Sequence, residues 1–146
     1  MKISTKGRYG LRILLDLALH GREKPRLIRD IAKSQILSEK YVSRLIISLR
    51  KARYVKSIRG AKGGYILNKN PKEITALGVV ETMEGPLSIV DCVCEPKSCK
   101  RSGTCTVRSI WSDLNNEMRL TMDKITLQSI IDKNHGENMD SFDYCI

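Results

Sequence analysis

The chain has 146 residues, 41% of them hydrophobic, and carries 26 Lys and Arg against 16 Asp and Glu, a formal charge of +10. That hydrophobic content excludes a disordered chain and supports one domain with a modest core; a single Phe and a single Trp make that core aliphatic, hence helical rather than a β-sandwich. The charge is segregated: residues 1–70 hold 18 basic and 4 acidic side chains and residues 71–146 hold 8 and 12, so the first part suits a polyanion better than a generically basic surface would.

At the start, Arg12 and Asp16 interrupt the apolar run and no small-residue cleavage site follows, so Met1 to Lys24 is not read as a signal peptide. No apolar stretch approaches the roughly 20 residues a bilayer requires. The expected location is cytoplasmic, with no membrane partner and with thiols kept reduced. Ser4 or Thr5 can cap a first helix in which Tyr9, Ile13, Leu14, Leu17 and Ala18 recur at helical spacing, and Gly21 is a natural stop. Leu27, Ile28, Ile31 and Ala32 mark a short second helix ending near Ser34. A third starts from Ser38, with Val42, Leu45, Ile46 and Leu49 at i, i+3, i+4, i+7. Its polar face carries Lys40, Tyr41, Ser43, Arg44, Ser48 and Lys51.

Two short helices and a tight turn, the second helix basic outside, is the layout of a helix-turn-helix unit. Any amphipathic helix has a polar face, so the following segment strengthens the reading. Strands over 54–59 and 64–67 are joined by Gly60-Ala61-Lys62-Gly63, a glycine-rich tip flanked by Arg59 and Lys62. A basic hairpin directly after such a helix is a wing, and Arg59 suits a narrow minor groove. A phosphate-binding loop is excluded by the missing Lys-Ser/Thr pair and by a strand where that loop needs a helix.

Thr75 can cap a helix from Ala76 to Met83, ended by Gly85-Pro86, with Leu77, Val80 and Met83 expected to pack on the winged unit. Then Cys92, Cys94, Cys99 and Cys105 fall within one short segment. The spacing Cys-x-Cys-x4-Cys-x5-Cys serves an iron-sulfur cluster or a tetrahedral zinc equally well. Lys97, Lys100 and Arg101 favour thiolates beside them. Beyond it, Val107, Ile110, Trp111, Leu114, Met118, Thr121, Met122 and Ile125 repeat near seven-residue spacing in one long helix, which suggests a second copy as partner or, otherwise, a fold back onto its own domain. Thr126 caps a short final helix, and residues 134–146 are polar, acidic and without period, as in a flexible tail. Cys145 reads as an ordinary free thiol. His20 and His135 form no nucleophile-base pair and no hydrolase spacing, so no enzyme is expected.

The expected fold is mainly α with a small β wing (α+β). A winged helix-turn-helix domain over 1–70 is followed by a connecting helix over 71–90, a cysteine loop over 91–105, a dimerisation helix and short helix over 106–133, and a tail over 134–146.

The opening stretch from Met1 to Gly10, the wing from Val55 to Tyr65, the turn Glu84-Gly85-Pro86, and the cysteine loop followed by Trp111 together resemble the Rrf2 family of bacterial winged-helix regulators over residues 1 to about 133. The resemblance implies a homodimer, usually a repressor, on double-stranded DNA; the polar face of the third helix and the wing tip then put Lys40, Tyr41, Ser43 and Arg44 in the major groove and Arg59 and Lys62 at the minor groove or backbone. In the branch that binds an iron-sulfur cluster, expected here as 2Fe-2S, the ligands match Cys92, Cys99 and Cys105. A second branch lacks those cysteines and is regulated by a sulfur-metabolism enzyme partner. Two departures stand out: where the cluster branch has a histidine ligand this chain has Arg108, and where some nitric-oxide sensors use an acidic residue it has Arg8. Cys94 is then a candidate fourth ligand, beside Asp91, Glu95 or a side chain of the other subunit. Zinc remains the alternative metal.

Overall fold

The structure, a computed structural model, describes residues 3–21 and 24–140, with side chains as far as Asn134. Helix α1 runs Thr5–His20; the Ser4 hydroxyl accepts the Lys6 N–H at its start, and the Gly21 N–H closes its end on the Leu17 carbonyl. Helix α2 (Ile28–Gln35) leads through Ile36 and Leu37 into α3 (Glu39–Lys51), where the Ser38 hydroxyl accepts the Tyr41 N–H. Ile13, Leu14, Leu17, Ile31, Val42, Ile46 and Leu49 interlock in one core, each almost wholly removed from solvent. At about 2 kcal/mol per buried aliphatic side chain, this interlocking fixes α3 against α1 and α2.

Strands β1 (Val55–Ile58) and β2 (Gly64–Leu67) pair antiparallel, Val55 opposite Leu67 and Ile58 opposite Gly64. The hairpin is joined to the helical unit by an antiparallel bridge in which Arg26 and Tyr65 exchange both backbone hydrogen bonds, at 2.9 and 2.8 Å. Gly64 permits it: its φ is +152°, and a Cβ there would lie 2.6 Å from the Arg26 carbonyl oxygen.

Helix α4 (Ala76–Glu84), capped by the Thr75 hydroxyl, lies along α1. Leu77 and Val80 do not pack on the winged core as expected. With Leu87 they form a second cluster against Ile3, Met118 and Met122, while Val79 and Met83 face the first core. The cysteine segment is less irregular than its composition suggests, since it contains a one-turn helix α5 (Asp91–Cys94) and a 3-10 turn over Pro96–Ser98.

Helix α6 (Thr106–Lys124) is long, as expected, but its apolar stripe has two fates. Met118 and Met122 fold back onto the second cluster, whereas Val107, Ile110, Trp111 and Leu114 are exposed. Helix α7 spans Leu127–Asp140, so it continues into the segment expected to be a flexible tail. Thr126 and Ser129 cap its start reciprocally, each backbone N–H donating to the other's hydroxyl at 3.1 Å. Leu127 and Ile131 enter the first core, and a bridge between Thr75 and Thr126 fastens the return. Cys145 lies outside the described residues.

Candidate nucleic-acid interface and cysteine loop

Helix α3 buries Val42, Leu45, Ile46 and Leu49. At about 3.6 residues per turn the opposite direction belongs to Lys40, Arg44, Ile47 and Lys51, all of them exposed. Ser43 is half-buried at the edge of that face. Tyr41 is held sideways: its hydroxyl donates to Thr5 Oγ1 at 3.2 Å and its ring meets Tyr9 edge-on, centroids 6.0 Å apart. Arg59 and Lys62 are exposed at the hairpin tip, where the Gly63 N–H closes on the Gly60 carbonyl at 2.9 Å. Lys62 and Gly63 also line a cleft of about 550 Å³ with Lys24, Leu27, Arg29 and Asp30. The structure thus leaves Lys40, Arg44, Arg59 and Lys62 open to solvent and commits Tyr41 to α1.

Behind this surface sits Asp16, 2% exposed. The Arg26 Nε–H donates to Asp16 Oδ1 at 3.0 Å; Ser34 and Gln35 donate to Oδ2, and Arg12 in turn donates to Gln35 Oε1 at 3.0 Å. A buried carboxylate without such partners would be costly, so this network fixes α2 and the bridge residue Arg26 against α1. Sequence reasoning saw Asp16 only as a charge interrupting an apolar run. It also passed over Ile47, whose spacing from Lys40, Arg44 and Lys51 was readable.

The four loop cysteines are free thiols: Cys92 and Cys105 half-buried, Cys94 and Cys99 exposed. Thiolates are apt ligands for an iron-sulfur cluster or zinc, so the donor set fits by chemistry. In this conformation the donors are not gathered, for among the described residues no three Cys, His, Asp or Glu side chains converge on a metal position. Cys92 lies in α5, Cys99 follows the 3-10 turn, and Cys105 precedes α6. Arg108, where the resemblance implies a histidine ligand, donates its Nε–H to the Cys92 carbonyl at 2.9 Å and ties α6 to α5. Cys94 places its thiol 3.9 Å from the Leu87 carbonyl, in a cleft it lines with Glu81, Pro86 and Arg119. Arg8 is exposed and lies 5.9 Å over the Tyr9 ring.

Besides Arg108, two side chains of α6 anchor the approach to the loop. Asn115, 2% exposed, accepts the Ile89 N–H at 3.0 Å. Arg119 holds Glu81 through both carboxylate oxygens, and Glu81 also accepts the Leu87 N–H at 3.1 Å. Burial works against the Glu81 charge, but the Arg119 hydrogen bond, the Leu87 N–H and the guanidinium charge outweigh it and hold the carboxyl below its usual value. The hydrogen bond to Glu81 raises Arg119 further above its own.

The family model described as an iron-dependent transcriptional regulator, Rrf2, matches residues 3–133. The chain belongs to the Rrf2 family. It is 39% identical over 137 residues to the transcriptional regulator CymR of Bacillus subtilis, covering 94% of each chain. It is 32% identical over 139 residues to IscR of Pectobacterium atrosepticum, covering 95% of this chain and 84% of that one. The solved structure of B. subtilis CymR, described as the global cysteine regulator, superposes with a TM-score of 0.74 at 38% identity over 89% of this chain and 95% of that one. IscR of T. potens gives 0.75 at 36% identity, covering 92% and 88%. These relatives are named as regulators of transcription, and the Rrf2 chain described here is a regulator of that kind rather than an enzyme. Among its described residues no helix is long and apolar enough to cross a membrane.

Proposed function

We propose that this Rrf2 protein is a homodimeric, cytoplasmic DNA-binding regulator, a repressor by the habit of its family, whose cysteine loop reports iron-sulfur status to genes of cluster assembly or sulfur metabolism. The observation that carries the reading is the outward face of α3, with Lys40 and Arg44 opposite the buried core and the basic wing tip beside it. On double-stranded DNA, Lys40, Ser43 and Arg44 enter the major groove; Arg59 takes the minor groove and Lys62 the adjoining backbone. Tyr41 acts from behind, seating α3 on α1.

Cys92, Cys99 and Cys105 are the residues that would hold an iron-sulfur cluster, of 2Fe-2S type, with Cys94, Asp91, Glu95 or a side chain of the second subunit as fourth ligand. When bound, such a group supplies iron-thiolate bonds that respond to iron supply and oxidation. The chain's own residues supply the rest: Arg108 fixes the Cys92 backbone, and Asn115 and Arg119 tie the approach to the loop to α6. Because α5 packs on α6, α6 on α4 and α4 on α1, a change in the loop reaches the winged unit through packed helices rather than through solvent.

Arg108 and the dispersed thiols support a second reading, in which the loop is metal-free and the regulator answers to a sulfur-metabolism enzyme, as implied by its likeness to CymR. Anaerobic purification followed by visible absorbance and metal analysis separates the cases. A coloured protein containing iron and acid-labile sulfide, losing both on Cys92→Ser, supports the first. One zinc per colourless chain overturns cluster sensing and leaves a structural site; a metal-free chain retained by a sulfur-metabolism enzyme with all loop cysteines replaced supports the second.

A further inference from the structure

The outward face of α3 holds cations at Lys40, Arg44 and Lys51 and, among them, one apolar side chain, Ile47, 44% exposed. Isolated apolar residues are ordinary on protein surfaces. Ile47 differs by direction and company: it points away from Val42, Leu45, Ile46 and Leu49, three residues after Arg44 and four before Lys51. A partner for this face must be densely anionic and yet offer an apolar point within its charged frame. The major groove of B-DNA has one such feature, the 5-methyl group of thymine. Ser43 is half-buried at the edge and Tyr41 is occupied by Thr5, so Ile47 is the only uncharged side chain directed straight outward from the helix.

We infer that Ile47 determines part of the sequence preference by packing on a thymine methyl group in the major groove. The inference rests on the DNA-binding reading above and adds to it the base and the chemical group recognised. Lys40, Arg44 and Lys51 provide attraction and orientation; Ile47 provides discrimination that no charge can supply, because a methyl group is all that separates thymine from uracil.

The test uses a duplex recovered by the full-length protein from a random-sequence library. Each thymine is then replaced singly by deoxyuridine, which removes only the methyl group, and affinity is measured for the wild type and for Ile47→Ala. For the wild type, one replacement in each half-site weakens binding by roughly fourfold, the effect of one buried methyl group. Ile47→Ala binds the thymine and uracil duplexes alike, Ile47→Val retains part of the difference, and the salt dependence is unchanged because no charge is lost. Uniform wild-type affinity across all replacements, or discrimination that persists in Ile47→Ala, overturns the assignment while leaving DNA binding intact. A wild-type protein that retains no duplex from the library overturns the DNA reading itself, and this inference with it.

Discussion

Glu84 takes the Gly7 N–H on its Oε1 at 3.1 Å and lies so close that a Cβ on Gly7 would come within 2.4 Å of that oxygen. The same oxygen accepts the Ser4 N–H at 2.9 Å, so the end of α4 caps the start of α1. Glu84→Ala is expected to lower stability by about 1 kcal/mol, the usual cost of a lost helix cap. Gly7→Ala should cost a similar amount by displacing the same carboxylate, and the double variant little more than either alone. Glu84→Gln, which keeps an acceptor oxygen, should recover most of the loss. Urea unfolding of the four variants measures the coupling; strict additivity would show that the two substitutions do not act through the same cap.

The Glu81 and Arg119 pair predicts a direction for acid sensitivity. Glu81 has its carboxyl held below the ordinary value in the folded chain. The unfolded chain therefore binds the proton first as pH falls, and stability rises with pH across that window. The contribution is fully present above the ordinary glutamate value of about 4.3 and disappears as pH falls through the lower folded value. The stability difference between wild type and Glu81→Gln should accordingly be constant near neutrality and shrink below about pH 4. A difference that grows on acidification would contradict the pairing.

Ile36 occupies the left-handed region, φ 56° and ψ 52°, in the turn between α2 and α3, and is 90% exposed. A β-branched side chain is strained there, and at that exposure almost no burial compensates. Ile36→Gly should stabilise the chain by about 1 kcal/mol, the relieved strain being partly offset by the greater freedom of glycine when unfolded. The denaturation midpoint should rise without a change in slope. An unchanged or lower midpoint would mean that the exposed side chain has a stabilising contact.

Val107, Ile110, Trp111 and Leu114 form an exposed apolar stripe along the first half of α6. If a second copy covers it, Leu114→Asp places a charge in that seam and should weaken self-association at least tenfold while leaving the fold intact, because Leu114 is 49% exposed within one chain. Sedimentation velocity across a concentration series reads the shift; an equally stable dimer would move the interface elsewhere.

What the residues disclosed in advance was local in origin. Ser4, Ser38 and Thr75 were recognisable as caps, because a cap depends on the next three residues and on nothing distant. The wing was equally plain from its glycines. Asp16 was opaque because its partners Arg26, Ser34 and Gln35 lie 10, 18 and 19 residues away. The stripe on α6 was visible as one period, but a period says which residues share a side and not what lies against it. Met118 packs against the cluster of Leu77, Val80 and Leu87, while Trp111 belongs to neither core cluster and stays exposed. The turns within the cysteine segment were too short to show a period, and Arg108 could be seen as a missing ligand but not as the donor that holds Cys92.

Leu127 and Ile131 close the first core from the far end of the sequence. The winged unit, although written almost wholly in the first 75 residues, therefore lacks two of its core side chains until residue 131 has been synthesised. On a translating ribosome that unit stays incomplete while the cysteine segment and α6 are being made. The part that grips DNA and the part that carries the thiols thus mature together, so a truncated chain that has neither loop nor α6 would also be a poorly folded binder.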